Sequence, residues 1–527
     1  MKRLCTIALL LLCCLPVHAQ ISSMRRNAEK IASALYYIQT RYVDSVDFDR
    51  AVDAMMAGLM EQLDPHSTYI PASQVASANE QLEGSFEGVG IEYVMLSDTL
   101  TIQSVILGGP SEAVGLRAGD KIVTIDGENV AGVGLRAEEM KPRLRGPKGS
   151  RVTVTALRDG QEREYVIRRD KIPVESIDAA YEPEPGILYI KLSRFAQTTA
   201  DEFLDSLRAV TKVRPERIIV DLRGNGGGFM HVACFLTNLF LGDGQEIVRT
   251  EGKGINRVDR SQDEGLFETE PLVILVDEES ASASEIMAGA LQDWDRAVIV
   301  GRRTFGKGLV QQSYNLADGS EMRLTVARYH TPSGRVVQSP YEKGKRDDYY
   351  RQARERYAHG ESFSADSISF PDSLKFKTLR LGRTVYGGGG IMPDVFVPYD
   401  TTGVNRYVLR AINGGLLSEF YYDYTDKHRK ELAVKDFSAF QRKWDKMEAA
   451  LFDEMVSFFD GKGLKADDEE ELAAATPILK TRLKAMLARN ALGSTAYWRV
   501  INSESDPAFQ EALRIVKDWS GDFPDLP

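Results

Sequence analysis

The chain has 527 residues, 43% of them apolar and 27% charged, which is enough material for about three or four soluble globular domains. Its formal net charge is −11. This acidic balance argues against nucleic acid or an anionic membrane surface as the main partner.

Residues 1–19 have the pattern of a secretory signal peptide. Lys2 and Arg3 precede an apolar run over 4–15, and small residues offer a cleavage site after Ala19. The run is shorter than the ~20 residues that cross a bilayer, so a membrane anchor is disfavoured. We therefore expect an exported protein. Three of the four cysteines lie in the signal, and the fourth, Cys234, is interpreted as a small core residue that forms no intramolecular disulfide.

Residues 20–83 are predicted to form an N-terminal helical arm. Apolar residues recur every three or four positions over 24–43 and 51–63, and LDPHSTYI at 63–70 then supplies turn chemistry. The pattern favours a two-helix packing or dimerisation arm. His66 in the turn is interpreted as structural, because no base and nucleophile pair is evident near it in the sequence.

Residues 84–171 consist of short alternating segments separated by turns, which predicts a β-rich domain. Their order resembles a PDZ domain, with a GVGI loop formed by Gly88, Val89, Gly90 and Ile91, and GLRAGDKIVTIDG further on. Such a loop captures the terminal carboxylate of a peptide with its backbone N–H groups, while the peptide adds as a strand to the sheet. We therefore expect a site for peptide C-termini here.

Strands alternate with helices over residues 172–400, which is typical of an α/β domain. Within it, residues 342–378 are charged and irregular and are expected to form a surface insertion. Residues 401–527 return to helical spacing and suggest no chemistry, so a helical packing or partner-binding extension is expected there.

Residues 271–311 carry the candidate chemistry. An apolar strand leads into a cluster containing Ser280, Ser282 and Ser284, then a helix, a second strand and Lys307 between two glycines. Serine is a poor nucleophile until a base removes its proton, and a lysine can be that base where burial disfavours its charge. A helix of about ten residues runs roughly 15 Å out and a strand of about six returns roughly 20 Å, so the two can meet. An ordinary helix cap with small packing residues is the alternative.

Further residues could complete such a site. Gln311 follows Lys307 by four positions, so both side chains lie on one face of an extended strand and the amide could hold the amine. An oxyanion needs two backbone donors. The N–H of Ala283 at a helix N-terminus is one candidate, and the glycine turn at 224–228, with Gly226 and Gly227, could supply the other.

Other chemistries fit the sequence less well. GNGGGF at 224–229 ends in Phe229 where a dinucleotide-binding loop needs glycine, and residues 301–308 match a phosphate-binding loop except that Gly308 replaces the Ser or Thr. The chain has neither an H-E-x-x-H zinc motif nor a G-x-S-x-G elbow. We therefore expect a reaction that needs neither a metal nor an organic cofactor.

Several of these stretches occur together in one known family. SASASEIMAGALQDWDRAVIVGRRTFGKGLVQ at 280–311 resembles the signature of the carboxyl-terminal processing peptidases, or tail-specific proteases. DLRGNGGG at 221–228, YHTPSGRVVQ at 329–338, VYGGGGIMPD at 385–394 and LDPHSTYI match further family motifs in the expected order. The resemblance implies a multidomain α/β protein: a crotonase-like α/β protease core with an inserted PDZ domain, between the helical arm and the helical extension.

The resemblance also implies roles for single residues. Ser282, the middle serine of the cluster, would be the nucleophile, Lys307 the general base and Gln311 the residue that orients the lysine. Arg145, in LRGPKGS, would take part in gating of the site by the PDZ domain. The expected substrates are unstructured C-termini of exported proteins in the bacterial periplasm or cell envelope, with a homo-oligomer and an adaptor protein as further partners. A non-catalytic scaffold that binds C-terminal peptides is the alternative function.

Overall fold

The computed structural model describes residues 23–96, 98–211 and 213–527, so the signal expected at 1–19 lies outside the described residues. The N-terminal arm contains both predicted helices. Asp47 caps the second helix by accepting a hydrogen bond from the Arg50 N–H. The elements of the arm are α1 (23–41), α2 (Phe48–Glu61), β1 (Thr68–Ile70) and α3 (Ala72–Glu83).

The next region is a β-rich domain. Its first strand, β2, pairs with its last strand, β9, and this pairing closes the domain. Between them a sheet runs in the order β3, β4, β5, β7, β8, which leaves β3 at one edge. The elements are β2 (Ser85–Gly88), β3 (Ile91–Leu96), β4 (Thr99–Val105), α4 (Pro110–Ala113), β5 (Lys121–Ile125), β6 (Glu128–Asn129), α5 (Ala137–Leu144), β7 (Arg151–Arg158), β8 (Gln161–Arg168) and β9 (Asp170–Pro173). This architecture agrees with the predicted PDZ domain.

The core domain follows, and helices are interspersed among its strands up to the insertion. They are β10 (Ile177–Tyr181), β11 (Ile187–Leu192), α6 (Thr199–Val210), β12 (Arg217–Asp221), α7 (Met230–Asn238), β13 (Glu246–Gly252), β14 (Ile255–Arg260), β15 (Leu272–Val276), α8 (Ala283–Asp293), β16 (Val298–Gly301), β17 (Leu309–Asn315) and β18 (Glu321–His330). The pattern confirms the predicted α/β class.

The central sheet has the order β10, β11, β12, β15, β16, β21, where β21 is Val395–Phe396, and all its pairs except β10 with β11 are parallel. Every residue of β11 and of β15 is buried, as expected for strands covered on both faces. Because parallel strands end at the same edge, the turns after β12, β15 and β16 lie side by side.

A second sheet joins the N-terminal arm to the core. Its order is β1, β18, β13, β14, and β17 also pairs with β18. Thr68 in β1 pairs with Arg323 in β18, which carries the turn at 63–67 onto the core. The turn at 63–67 therefore comes to lie beside the loop that follows β16, although more than 200 residues separate the two in sequence.

The insertion at 342–378 is more than a surface loop. It contains helix α9 (Arg346–Ala358), and the chain continues through β19 (Lys375–Lys377) and β20 (Thr384–Tyr386) before β21. Tyr349 in α9 is buried, and its ring packs edge-on against His66 and Phe305. The insertion thus contributes an interior side chain near Lys307.

The C-terminal residues divide between two hydrophobic cores. Helices α10 to α15 form one of their own, whereas α16 packs under the central sheet with Tyr189, Ile219 and Leu275. The helices are α10 (Arg406–Asn413), α11 (Leu416–Lys427), α12 (Arg429–Leu432), α13 (Phe437–Gly461), α14 (Glu469–Leu492), α15 (Ser494–Glu504), α16 (Pro507–Lys517) and α17 (Trp519–Asp522). In the described ranges, no helix is long and apolar enough to cross a membrane.

Candidate active site

Ser282 lies in the sharp turn between β15 and α8, as the N-cap residue of α8. Its backbone has φ 56° and ψ −111°, a conformation that residues other than glycine rarely adopt. Strain of this kind persists only where surrounding contacts enforce it, and it is concentrated at functional sites. The turn presents Ser282 in a partly accessible position, whereas Ser280 and Ser284 are fully buried.

The two buried serines support the turn instead. The Ser280 hydroxyl donates to the Leu222 carbonyl at 2.8 Å, and the Ser284 hydroxyl donates to the Asn225 carbonyl at 2.8 Å. Both acceptors lie in the loop after β12, Leu222 just before the glycine turn and Asn225 within it. Of the three serines that the sequence left open, Ser282 is therefore the one whose hydroxyl is not committed to the neighbouring loop.

Glu285 links the serine turn to the lysine turn. Its buried carboxylate accepts hydrogen bonds from the backbone N–H groups of Ser282 (2.8 Å), Gly306 (2.7 Å) and Lys307 (2.8 Å), and from the Thr304 hydroxyl (2.6 Å). Burial raises the pKa of Glu285, and these donors oppose the shift because they favour the ionised form. One carboxylate thus fixes the separation of the two backbone segments.

A tyrosine makes a second link between the same segments. The buried Tyr329 hydroxyl lies 3.2 Å from the Ser282 carbonyl and 2.7 Å from the Lys307 carbonyl. Tyr349 of the insertion donates to the Gly306 carbonyl at 3.2 Å. The chain therefore does fold back as the sequence required, and the backbones of Ser282 and Lys307 come together.

Lys307 has the environment expected of a base. Burial lowers the pKa of its amine, and the carboxylate of Glu285 opposes part of that shift. In the described part of the chain, the amine makes no hydrogen bond to the Ser282 hydroxyl or to Gln311. The Gln311 amide donates instead to the Thr325 hydroxyl at 3.3 Å and the Leu309 carbonyl at 3.4 Å. The structure brings the three residues to one site without joining their side chains.

Two of the three backbone N–H groups expected to bind an oxyanion make no hydrogen bond within the described residues. Neither the Ala283 N–H, at the first position of α8, nor the Gly226 N–H donates to another described residue, so both are available. The Gly227 N–H is not, because it donates to the Asn225 side chain at 2.9 Å. Of the two glycines expected as donors, Gly226 therefore fits and Gly227 does not.

Gly227 has a different role, which is close packing. A Cβ atom there would lie 2.8 Å from the Ser282 Cβ and 2.8 Å from the Ala281 carbonyl oxygen. The turn is held against the serine by Asn225, a fully buried residue whose carbonyl accepts from the Ala281 N–H at 3.0 Å. Asn225 was missed from the sequence, where a single polar residue among glycines was the only signal.

The turn at 63–67 contacts the lysine side of the site, which the sequence did not reveal. The Asp64 carboxylate accepts from the backbone N–H groups of His66 and Ser67, both at 2.9 Å, and from the Thr325 hydroxyl at 2.8 Å. Because Thr325 also accepts from Gln311, the turn is connected to the residue expected to orient Lys307.

His66 is half-buried beside this network. Burial, with the positive charge of Lys307, lowers its pKa to about 4, and its Nε2 atom has no partner among the described residues. From the sequence we interpreted His66 as structural, because no base and nucleophile pair is evident near it there. The structure adds that β1 brings the turn next to Lys307, which the local sequence does not show.

A cavity of about 510 Å³ opens beside the site. Gly226 and Ala281 line one side, and Tyr357 of α9 lines another. Apolar and charged walls together suit a peptide side chain. Among the described residues, no group of three His, Cys, Asp or Glu side chains could hold a metal ion.

The GVGI loop has the geometry of a carboxylate site. The Val89 carbonyl accepts from the Ser111 N–H (3.1 Å) and hydroxyl (2.6 Å), and the Gly90 carbonyl accepts from the Ile106 N–H (3.0 Å). In a trans peptide the N–H points opposite to the carbonyl, so the N–H groups of Gly90 and Ile91 point away from the domain interior. They face the open edge of β3, where a peptide strand could add.

Arg145 lies directly behind this loop. Its Cγ would be 3.6 Å from a Cβ on Gly88, its guanidinium lies 4.5 Å from the centre of the Phe86 ring, and it forms an ion pair with Glu80 of α3. α3 in turn contacts the second sheet, since Asn79 donates to Glu321 at 3.1 Å. Arg145 therefore stands between the peptide loop and a helix that reaches the core.

Comparison with known proteins identifies the class of molecule. Residues 186–349 match the peptidase family S41, residues 88–168 match the PDZ domain, and residues 407–493 match a family of unknown function, DUF8443. The carboxy-terminal processing protease CtpA of Bacillus subtilis (strain 168) is 34% identical over 345 residues, which cover 63% of this chain and 73% of that protein.

Two solved structures also match parts of the chain. The photosystem II D1 C-terminal processing protease is 25% identical, with 70% of this chain and 86% of that chain covered, at a TM-score of 0.36. A PDZ domain of a carboxy-terminal protease from Vibrio cholerae, solved in complex with a peptide, is 35% identical over 17% of this chain and 97% of that one, at a TM-score of 0.16. The chain belongs to the carboxy-terminal processing proteases of peptidase family S41 and carries their PDZ domain.

Proposed function

We propose that this protease is a serine endopeptidase with a serine–lysine dyad, in which Ser282 is the nucleophile and Lys307 the general base. The observation that carries the proposal is the double link between them: Glu285 binds both backbone N–H groups, and Tyr329 contacts both carbonyls. Hydrogen bonds at catalytic sites often shorten only when substrate binds. The assignment therefore does not require a hydrogen bond between the Ser282 hydroxyl and the Lys307 amine before substrate binds.

The reaction follows from the groups present. The hydroxyl oxygen of Ser282 attacks the scissile carbonyl while neutral Lys307 takes the hydroxyl proton. The Ala283 and Gly226 N–H groups stabilise the oxyanion that forms. Lys307 then passes the proton to the leaving amine, and water releases the acyl-enzyme. Gln311 is proposed to orient the lysine amine, since it lies in β17, which begins two residues after Lys307.

The proposed substrates are unstructured C-termini of exported proteins in the periplasm or cell envelope. The outward N–H groups of Gly90 and Ile91 support capture of a terminal carboxylate, and the adjacent Arg145 to Glu80 ion pair supports a role of Arg145 in gating. α1 supports the proposal of a homo-oligomer, because large apolar residues such as Ile31, Tyr36 and Tyr37 are exposed on it. An adaptor protein is the further proposed partner.

The test uses Ser282→Ala and Lys307→Ala in the full chain, with an unstructured fluorogenic peptide that has an apolar C-terminus. We expect both variants to lose at least about 10³-fold in kcat while the peptide still binds. Cleavage by both variants at the parental rate would disprove the dyad. A parent that binds but does not cleave such a peptide would favour the alternative function, a peptide-binding scaffold.

The pH dependence tests the lysine separately. A base must be neutral to act, and burial lowers the pKa of Lys307 below its ordinary value of 10.5. The value of kcat/KM should therefore rise with pH and level off once Lys307 is deprotonated. A profile that is flat from pH 5 to pH 10 would exclude Lys307 as the base.

A further inference from the structure

The carboxylate of Asp506 reaches from the C-terminal helices to the glycine turn of the active site. Asp506 is the N-cap of α16, where it accepts from the Phe509 N–H at 3.0 Å, and it is only 9% exposed. Its two oxygens also accept from the Arg223 guanidinium, at 2.8 Å and 2.7 Å. This is the bidentate geometry that fixes an arginine most firmly.

Arg223 is held equally firmly on its other side. It donates to Asp221 from Nε at 3.0 Å and from Nη2 at 2.6 Å, and Asp221 is fully buried. Lys191 donates to the Arg223 carbonyl at 2.7 Å. Burial alone would raise the pKa of Asp221, but the charges of Arg223 and Lys191 hold it below its usual range. The guanidinium therefore lies between two carboxylates, those of Asp221 and Asp506.

Arg223 is the residue immediately before the glycine turn. The turn itself has anchors of its own, because the Gly224 N–H donates to Asp277 at 3.0 Å and the Asn225 amide donates to the Leu192 carbonyl at 3.1 Å. Loss of Asp506 would therefore leave the turn folded but free Arg223, the residue that leads into it, on one side. A shift of about 1 Å in such a group can cost 10²-fold in rate.

The helices that carry Asp506 also contact the PDZ domain. Arg489, near the end of α14, donates to Glu92 of β3 at 2.7 Å, and Val94 and Leu96 of β3 pack on the C-terminal core. One short helix, α15, connects α14 to Asp506. The edge strand of the peptide groove and the glycine turn are thus attached to the same set of helices.

We propose that Asp506 is a positioning residue for the oxyanion turn, acting through Arg223. This inference rests on the proposed function, because the turn matters for rate only if Gly226 donates to an oxyanion. It gives the C-terminal helices a part in the reaction that their sequence did not suggest.

The test is Asp506→Asn in the full chain, with the same fluorogenic peptide. Asparagine has the same shape and caps a helix as well as aspartate, so α16 should fold while the charge and one acceptor oxygen are lost. We expect kcat to fall about ten-fold or more with KM changed less than two-fold, and Asp506→Glu to recover part of the loss.

Glu504→Gln is the matched control. Glu504 lies two residues away and pairs with Lys484 and Thr481 inside the C-terminal helices, where it touches neither Arg223 nor the turn. Its kcat should stay within two-fold of the parent. An equal loss in both variants, or no loss in Asp506→Asn, would overturn the inference.

Amide hydrogen exchange separates this inference from the proposed function. Exchange at residues 224–228 should be about ten-fold faster in Asp506→Asn than in Glu504→Gln, whether or not the protein cleaves the peptide. If the parent does not cleave, the proposed function fails while the exchange still decides the role of Asp506. Equal exchange in both variants would overturn that role.

Discussion

The nucleophile half and the base half of the proposed active site are built from different kinds of sequence. The nucleophile half comes from two short motifs, 221–228 and 276–285, on turns after neighbouring parallel strands. The base half needs Lys307 together with residues from the N-terminal turn, β18 and the insertion. Most of the first half lies on turns of one sheet, whereas the second requires several distant segments to dock.

The comparison indicates where each half is vulnerable. The nucleophile half has little free space, so small steric changes should impair it strongly. The base half depends on many single hydrogen bonds and on burial, so a single change should have a smaller effect and one that varies with pH.

The largest effect is expected from Gly227→Ala on the nucleophile side. Its new Cβ would overlap Ser282 and Ala281, both at 2.8 Å, and the backbone has φ 102°. We expect kcat to fall about 100-fold and stability to fall by about 2 kcal/mol. Peptide cleavage and urea denaturation measure the two quantities.

Gly224→Ala is the control for that change. Gly224 also has a positive φ, 72°, but a Cβ there would meet only the Glu279 carboxylate at 3.7 Å, an ordinary contact. We expect a loss of about 1 kcal/mol with kcat nearly unchanged. Equal losses of kcat in both variants would show that backbone strain, rather than close packing on Ser282, is decisive.

An intermediate effect, confined to acid pH, is expected from His66 on the base side. Its pKa is about 4 in the folded chain and about 6.5 when unfolded. As pH falls from 6.5 to 4, the unfolded chain takes up a proton that folded His66 does not, so stability falls by roughly 3 kcal/mol. In His66→Gln this part of the pH dependence should disappear, as urea denaturation at pH 7 and pH 4.5 can show.

His428→Gln provides the comparison for His66, because His428 lies at the end of α11, far from the lysine in the fold. If His66→Gln and His428→Gln remove equal parts of the loss of stability at acid pH, burial of His66 beside Lys307 is not the cause of that loss.

The smallest effect is expected from Tyr349→Phe, which removes the hydroxyl that donates to the Gly306 carbonyl while keeping the ring packed on His66. The same hydroxyl also accepts a hydrogen bond from the Gln338 amide at 3.2 Å. Each neutral hydrogen bond is worth about 1 kcal/mol, so we expect kcat to fall about three- to ten-fold. Tyr350→Phe, which loses a bond to the Pro65 carbonyl at 3.3 Å, is the control. A larger loss of kcat in the control would show that the insertion acts through the N-terminal turn rather than through Gly306.

The prediction of the site was most specific where residues that are neighbours in space also belong to one short sequence motif. The choice among Ser280, Ser282 and Ser284 rested on motif position, and the structure gives it a physical reason, since only Ser282 leaves its hydroxyl free of the glycine turn. The distinction between Gly226 and Gly227 could not be made from the sequence, because it depends on which N–H the Asn225 side chain accepts.

The sequence by itself determined the classes of element and the motifs: an α/β core, a PDZ domain, helical ends, and a serine cluster followed by a lysine. Periodicity and turn chemistry depend on residues that are close in sequence, so they can be recognised without knowledge of the fold. Only the tertiary structure decided that Asp64 and His66 lie beside Lys307, that Tyr349 is interior, and that Asp506 pairs with Arg223. These contacts join residues separated by tens to hundreds of positions, and strand pairing and helix packing, which no local pattern encodes, bring them together.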